Sequence, residues 1–515
     1  MDNYIKDGNG GAWAQCVLCE RQTAVELAGD YSLPDYQPEI KRLLRVKATV
    51  MPPDSYVGAG SAEFSGVIHY SILYAGNDGA LYSVNQSDEY RFAIPVEMTS
   101  EFDPSQGVFC QAELLPETVG GRVAAPRRLS VKCRLRAMAR ILGMKQLCEP
   151  ISKEADGSTQ RLLGSVSCAR VYTGAGESFR LGDEILCEGS DDLRVIHSEG
   201  QVFVTEAVAG SECVNCRGEV SLKLLVCREG SQEPPSLMTR RIPFAQLVEL
   251  DGARVDCEAC AYGVCNEVNV TVEEGRILAD LGARLSVRAQ RNETVPFTRD
   301  LYSTRLQTQN TYITHALPVA GRCLNGNFSV NTAIPLSEAG IRREESVVDV
   351  SMIPVQLNTE CDKGRLILTG KCRCHVILLG KEEYGAQELE IPFRYETEVG
   401  CDGAKDLVSD ATVTVISCRG RMDGERIGLD AELAVCLATR TETQVQVLSQ
   451  AHFGEAVERS ASVCTVCYPC REDTLWSVAK RYHQPVELIS ARNGLSDAPA
   501  ADTPASLSGV LYLLV

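Results

Sequence analysis

Tryptophan occurs only twice and histidine only six times in the 515 residues of this chain. The histidines, at His69, His197, His315, His375, His452 and His483, stand singly, so no H-x-x-x-H or H-E-x-x-H pair is available to hold a metal on one helix face. There is also no G-x-S-x-G elbow and no Walker A phosphate loop, and Gly174-Ala175-Gly176 reads as a turn rather than a dinucleotide fingerprint. No apolar run approaches the roughly 18 residues that a membrane helix needs, so membrane insertion is not expected. Positive charge is short as well: 51 Lys and Arg against 69 Asp and Glu leave −18, a field that repels phosphate backbones and anionic headgroups. Nucleic acid is therefore not an expected partner, and nothing nucleophilic is paired with a base, so no enzyme is expected.

The opening segment, Met1-Asp2-Asn3-Tyr4-Ile5-Lys6-Asp7-Gly8, has no basic n-region and no apolar h-region. Cysteine, by contrast, is abundant at 23, an odd number spread along the chain. Without an export signal these read as reduced thiols of a cytoplasmic protein. Four groups have metal-like spacing: Cys16/Cys19, Cys213/Cys216, Cys257/Cys260 and Cys464/Cys467/Cys470. A structural zinc site needs four ligands converging on one tetrahedron; these lie far apart or along one strand, so neither a metal nor another cofactor is expected.

The chain is too long for one core, and it carries an internal period. Gly66, Gly218 and Gly370 stand at a constant spacing of 152 residues, and each opens an alternating run. The columns that follow are apolar: Ile68, Val220 and Cys372; Tyr70, Leu222 and Cys374; Ile72, Leu224 and Val376; Tyr74, Val226 and Leu378. The columns between them, such as His69, Ser221 and Arg373, are wetter, so each run reads as a strand buried on one face. Further landmarks are Phe92 with Pro95, Ile242-Pro243-Phe244 and Ile391-Pro392-Phe393, where proline suits an edge or strand end. A third set matches Leu129, Leu285 and Leu433. Turn sequences such as Asn77-Asp78-Gly79, Asp251-Gly252 and Asp423-Gly424 separate the strands. A period this long indicates duplicated domains rather than a solenoid. Short helices are expected over residues 38–45 and 335–343, and polar connectors over 149–159 and 291–300.

In the tail, Asp473 or Thr474 is placed to cap a helix. Leu475, Val478, Ala479 and Tyr482 then fall on one apolar stripe. Pro485 starts a second helix carrying Leu488 and Ile489, and Asn493-Gly494 ends it. Strands over 464–468 and 510–514 complete a small unit. Trp476 reads either as a core-edge residue or as a partner-facing anchor, the role in which Trp is enriched at interfaces. Asp473, Thr474, Asn493 and Gly494 read either as caps and turns or as direct contacts.

The run from Asp473 to Tyr482 with Ala491-Arg492-Asn493-Gly494-Leu495 resembles a LysM module, and the entry from Gly29 to Ile40 leading to the Gly66 strand resembles the SPOCS (DUF3794) domain of spore-forming Firmicutes. The resemblance implies a mainly β fold: an N-terminal segment (1–29), three tandem antiparallel, sandwich-like domains (30–150, 151–297, 298–456) and a βααβ LysM module (463–515). It also implies a spore coat assembly adaptor of the mother-cell cytoplasm, docking on a SpoIVA-like coat-basement ATPase at the forespore surface and engaging other coat proteins. The implied partner-binding residues are Asp473, Thr474, Leu475, Trp476, Tyr482, Ile489, Asn493 and Gly494. The alternative is a peptidoglycan-binding protein of the wall or spore cortex. Glu472 where the family has Gly, and Leu507-Ser508-Gly509-Val510-Leu511 where it has P-G-Q-x-L, weaken glycan binding.

Overall fold

The computed structural model describes residues 12–58, 60–96, 107–148, 158–187, 192–230, 233–273, 275–362, 364–381, 383–399, 407–458, 465–495, 502–503 and 507–515. The protein is mainly β, built from several antiparallel sheets. None of its described helices is long and apolar enough to cross a membrane.

The first stretch forms β1 (Trp13–Ser32), β2 (Ile40–Val50), β3 (Asp54–Val57), β4 (Ser61–Gly76), β5 (Leu81–Pro95), β6 (Val108–Ala125) and β7 (Arg128–Gln146). Strands β2 and β3 flank one edge of β4 and β5 the other, while β1 returns to pair with β7 in the order β1-β7-β6. Pro52 and Pro53, which have no N–H to give a ladder, sit at the break between β2 and β3. The two sheets enclose one core of alternate residues, among them Ile68, Tyr70, Ile72 and Tyr74 from β4 and Leu129, Val131 and Leu135 from β7.

The same order returns twice. It is built next from β8 (Thr159–Ala175), β9 (Phe179–Leu186), β10 (Leu193–Ala209), β11 (Cys213–Arg228), β12 (Ser236–Glu249), β13 (Glu258–Glu273) and β14 (Arg276–Ser303). The sheets are β10-β11-β12 and β13-β14-β8, with β9 continuing the β8 side of β14. The third pair uses β15 (Leu306–Pro335), β16 (Ser346–Asp362), β17 (Arg365–Leu379), β18 (Tyr384–Glu398), β19 (Val408–Asp423) and β20 (Arg426–Ala456), ordered β16-β17-β18 and β15-β20-β19. All four apolar columns read from the sequence are buried, Cys372 and Cys374 included.

Register explains the glycines. Gly66 faces Tyr90, Gly218 faces Phe244 and Gly370 faces Phe393 across the ladder. In each case a ring lies where a Cβ would be. The aromatic equivalent to Phe244 and Phe393 is thus Tyr90 and not Phe92, which stacks on Phe64 with centroids 4.8 Å apart. Pro243 and Pro392 lie on edge strands, where a missing N–H costs no ladder bond.

Several expectations are corrected. Leu129, Leu285 and Leu433 are not equivalent: counted from the hairpins that close at Arg128, Arg276 and Arg426, Leu129 matches Ile277 and Ile427. Residues 38–45 form no helix, because Ile40, Leu44 and Val46 are buried in β2 paired with β4. The helix near 335–343 is present as α1 (Leu336–Ala339), closed by Gly340 at φ 67°. The connector expected over 291–300 is instead the far half of β14, whose Val295, Phe297 and Leu301 alternate into buried positions along β8. β1 occupies most of the segment numbered 1–29 from Trp13 onward.

Candidate functional site

The face of β4, β11 and β17 expected to be wetter is where the three sheet pairs meet. Leu73, Leu225 and Ile377, again 152 residues apart, pack in one buried cluster with Leu44, Ile196 and Val348, which share that spacing. One residue further along β2, β10 and β16 stand Arg45, His197 and Asp349, three different titratable groups at equivalent positions. Arg45 Nη1 donates to Asp349 Oδ2 at 2.5 Å, with side chains 1% and 0% exposed. Lys223 of β11 also salt-bridges Asp349 and donates to Val350 O at 2.6 Å. Lys47 pairs with Glu199 beside His197.

Burial alone would raise the Asp349 carboxyl, but Lys223 and Arg45 outweigh it and hold it below the usual carboxylate range. Burial alone would likewise raise Glu199, but Lys47, with Lys223 and Arg45 adding to it, holds it well below its usual value. Burial keeps His197 neutral by lowering its pKa. A buried charge is tolerable only with such partners.

Beyond this layer lies a cavity of about 240 Å³ lined from all three pairs: Glu113 of β6, Cys260, Tyr262 and Arg288 of the second pair, Asp410 and Cys436 of the third. Asp410 accepts Arg140 Nη1 at 2.7 Å and Arg288 Nη1 at 2.5 Å, and Arg140 also grips Glu20 at 2.9 and 3.0 Å. Burial opposes ionisation of Asp410, yet Arg288 and Arg140 bring it down to about 2. Glu113 has no such partner: desolvation, reinforced by Asp410, pushes it up to about 7. Among the described residues no group of three or more His, Cys, Asp or Glu is arranged to hold a metal ion. Asp410 of the third pair thus joins Arg140 of the first to Arg288 of the second.

The tail forms β21 (Val466–Cys467), α2 (Leu475–Arg481), α3 (Val486–Arg492) and β22 (Leu513–Leu514). Thr474 is the N-cap of α2 in a reciprocal box with Ser477. Asp473 accepts the Cys470 N–H at 2.8 Å and Arg481 Nη2 at 2.6 Å. Leu475 and Ile489 are core, and Tyr482 packs at the core margin. Asn493 pins β22 by donating to Leu514 O at 2.9 Å and accepting its N–H at 2.8 Å, and Gly494 closes α3 at φ 66°. Cys464 lies outside the described residues.

Trp476 is buried where the tail's core meets Tyr302 of β14. It is 7% exposed, donates Nε1 to Asp300 Oδ2 at 2.8 Å, and meets Tyr302 edge-on at 5.0 Å. Lys480 reaches both Asp300 oxygens at 2.7 and 2.8 Å, Tyr312 and Asn310 each donate to Asp300 at 2.7 Å, and Tyr302 Oη donates to Gln484 O at 2.7 Å. The end of β14 is thus a seat for α2. Elsewhere in the tail Val466, Tyr468, Leu511 and Tyr512 are exposed. Sequence reasoning missed the seat because Asp300 was read as part of a polar connector. It missed the Arg45, His197 and Asp349 column because that column is not apolar, although the 152-residue spacing was there to find it.

No family model, no curated protein and no solved structure matches this chain.

Proposed function

We propose that this protein is a non-enzymatic spore coat assembly adaptor of the SipL-like kind: three SPOCS-like copies of one β unit, one per sheet pair, followed by a LysM-like module. In this reading it works in the mother-cell cytoplasm at the forespore surface, docks through the tail on a SpoIVA-like ATPase, and recruits or stabilises other coat proteins. The supporting observation is the division of labour in the tail. It is seated on β14 through Trp476 and Lys480, while Val466, Tyr468, Leu511 and Tyr512 stay uncovered. Tyrosines such as Tyr468 and Tyr512 are among the residue types that dominate binding energy at protein interfaces. A body locked by buried ion pairs would hold such a docking surface, and any surfaces for coat proteins, in fixed relation, so that several modest contacts act together.

The test is binding of the full chain, of a chain ending at residue 458, and of Tyr468→Glu with Tyr512→Glu, to the purified ATPase. The reading expects both altered proteins to fold and to lose binding. Unchanged affinity after removal of the tail overturns it, as does retention of the full chain on purified peptidoglycan but not on the ATPase.

A further inference from the structure

Cys260, Cys323 and Cys436 come from three strands, β13, β15 and β20; Cys260 and Cys323 are buried with Ala438, and the partly buried Cys436 packs against them. Their approach is fixed by backbone clamps on both sides of Cys260. Asn325 on β15 accepts the Ala261 N–H at 3.0 Å and donates back to Ala261 O at 2.5 Å, while Glu258 accepts the Cys323 N–H at 2.7 Å. Cys436 faces Asn325 and Ala438 faces Cys323 in the β15–β20 ladder, so the two third-pair thiols are diagonal neighbours. Arg288 stands opposite Cys260 in the β13–β14 ladder. Cys260 and Cys436 both line the 240 Å³ cavity, and Cys323 does not.

A buried cysteine ordinarily packs as a small inert hydrophobe. Cys216 fits that role, burial pushing its thiol up to about 12, as it does Cys372. Cys260 departs from it: the neighbouring Cys323 and Cys436 thiols, with Arg288 adding to them, draw it well below the usual thiol range despite burial. A thiol that stands opposite a guanidinium, lines a cavity and packs against a second thiol on the same cavity wall is placed to meet a small oxidant and to be resolved by its neighbour.

We propose that Cys260 is a peroxide-reactive thiol whose oxidation links it to Cys436, joining the second sheet pair covalently to the third. The Cys260 sulfur attacks one oxygen of hydrogen peroxide; the O–O bond breaks, and hydroxide leaves and takes a proton to form water. The resulting sulfenic acid is attacked by the Cys436 sulfur, the S–S bond forms, and a second water departs with the thiol proton. Two thiols are oxidised and one peroxide is reduced to two waters.

The reduced full-length protein, treated with one equivalent of hydrogen peroxide and digested without reductant, should yield a Cys260–Cys436 cross-linked peptide and an intact mass lower by two hydrogens. Cys436→Ala should leave Cys260 as a sulfenic acid that a cyclic 1,3-diketone traps. In the native wild-type protein, timed alkylation should label Cys260 at least about tenfold faster than Cys216 or Cys372; this arm needs no variant to fold. Labelling of Cys260 at the same rate as those two overturns the proposal, as does oxidation of Cys260 to a sulfinic acid without a cross-link. A cross-link to Cys323 overturns the assignment of Cys436 as the partner.

Discussion

Arg45 and Asp349, 304 residues apart in sequence, form an ion pair in which neither side chain retains meaningful contact with water. Removing one member of such a pair leaves a desolvated charge without compensation, at a cost of about 3–5 kcal/mol. Asp349→Asn strands both Arg45 and Lys223, so it should fall at the top of that range. Lys41 and Glu383 also join the first and third pairs, but with side chains 50% and 65% exposed, and Lys41→Ala should cost under about 1 kcal/mol. Urea midpoints compared at constant slope decide the matter. Equal shifts for the two variants would mean that the buried layer does not hold the pairs together.

The three strand glycines should differ in how replaceable they are. At Gly218 and Gly370 an added Cβ would collide with a backbone carbonyl, of Phe203 and Gln356 respectively, as well as with a ring. At Gly66 the nearest atoms all belong to the Tyr90 side chain, beginning with Oη at 2.5 Å. Each Gly→Ala change should destabilise by about 1–3 kcal/mol through overpacking. Double-mutant cycles should separate them: Tyr90→Ala relieves Gly66→Ala, whereas Phe244→Ala leaves Gly218→Ala as damaging as before. Additivity at position 66 would contradict the register.

These contrasts mark how far sequence reading reaches. The columns from Ile68, Val220 and Cys372 onward were legible because one-sided burial writes a period of two directly into residue type. The convergence of Leu73, Leu225 and Ile377 was not, since whether a strand's second face meets water or another sheet depends on packing between distant parts of the chain. The same limit misplaced the landmark at Phe92. Composition pairs it with Phe244, but the hydrogen-bond ladder places Tyr90 there. In the tail the caps at Thr474 and Gly494 were legible from local chemistry, while the partner of Trp476 lies 176 residues away.

Glu113 predicts a pH signature. Its carboxyl ionises at about 7 in the folded protein against 4.5 ordinarily, because burial and Asp410 outweigh Arg140 and Arg288. Between those values the folded state holds a proton that the unfolded state has released, so its contribution to stability falls by about 1.4 kcal/mol per pH unit as pH rises. His375 works in the other direction: burial lowers it to about 4 from 6.5, and its contribution is lost as pH falls through that window. The two slopes offset one another between pH 4.5 and 6.5. Glu113→Gln should therefore unmask a rise in stability with pH there, and His375→Gln a fall. Parallel pH profiles for wild type and both variants would refute the assignments.

The seat on β14 predicts a release without unfolding. Asp300 accepts from Trp476, Lys480, Tyr312 and Asn310, and against the pull of burial Lys480, Trp476 and Tyr312 hold its carboxyl below its usual range. Asp300→Ala removes every one of these bonds, leaving the indole N–H without its acceptor, at a cost of about 1–3 kcal/mol. Cys467, Leu475, Val478, Ala479, Ile489 and Leu513 of the tail share one buried cluster to which β14 contributes Tyr302; since Asp300→Ala leaves that cluster intact, the tail's fold should survive while its attachment weakens. In a Trp13→Phe background the remaining Trp476 emission should shift to the red, and proteolysis should cut between residues 457 and 466 sooner than in the parent. Asp300→Asn, which still accepts the indole N–H but lacks the charge for Lys480, should fall between the two. If emission and cleavage stay at the parental level in Asp300→Ala, the contact carries no weight. If emission shifts and the tail itself is degraded, the tail depends on β14 for its fold and is not a separable docking unit.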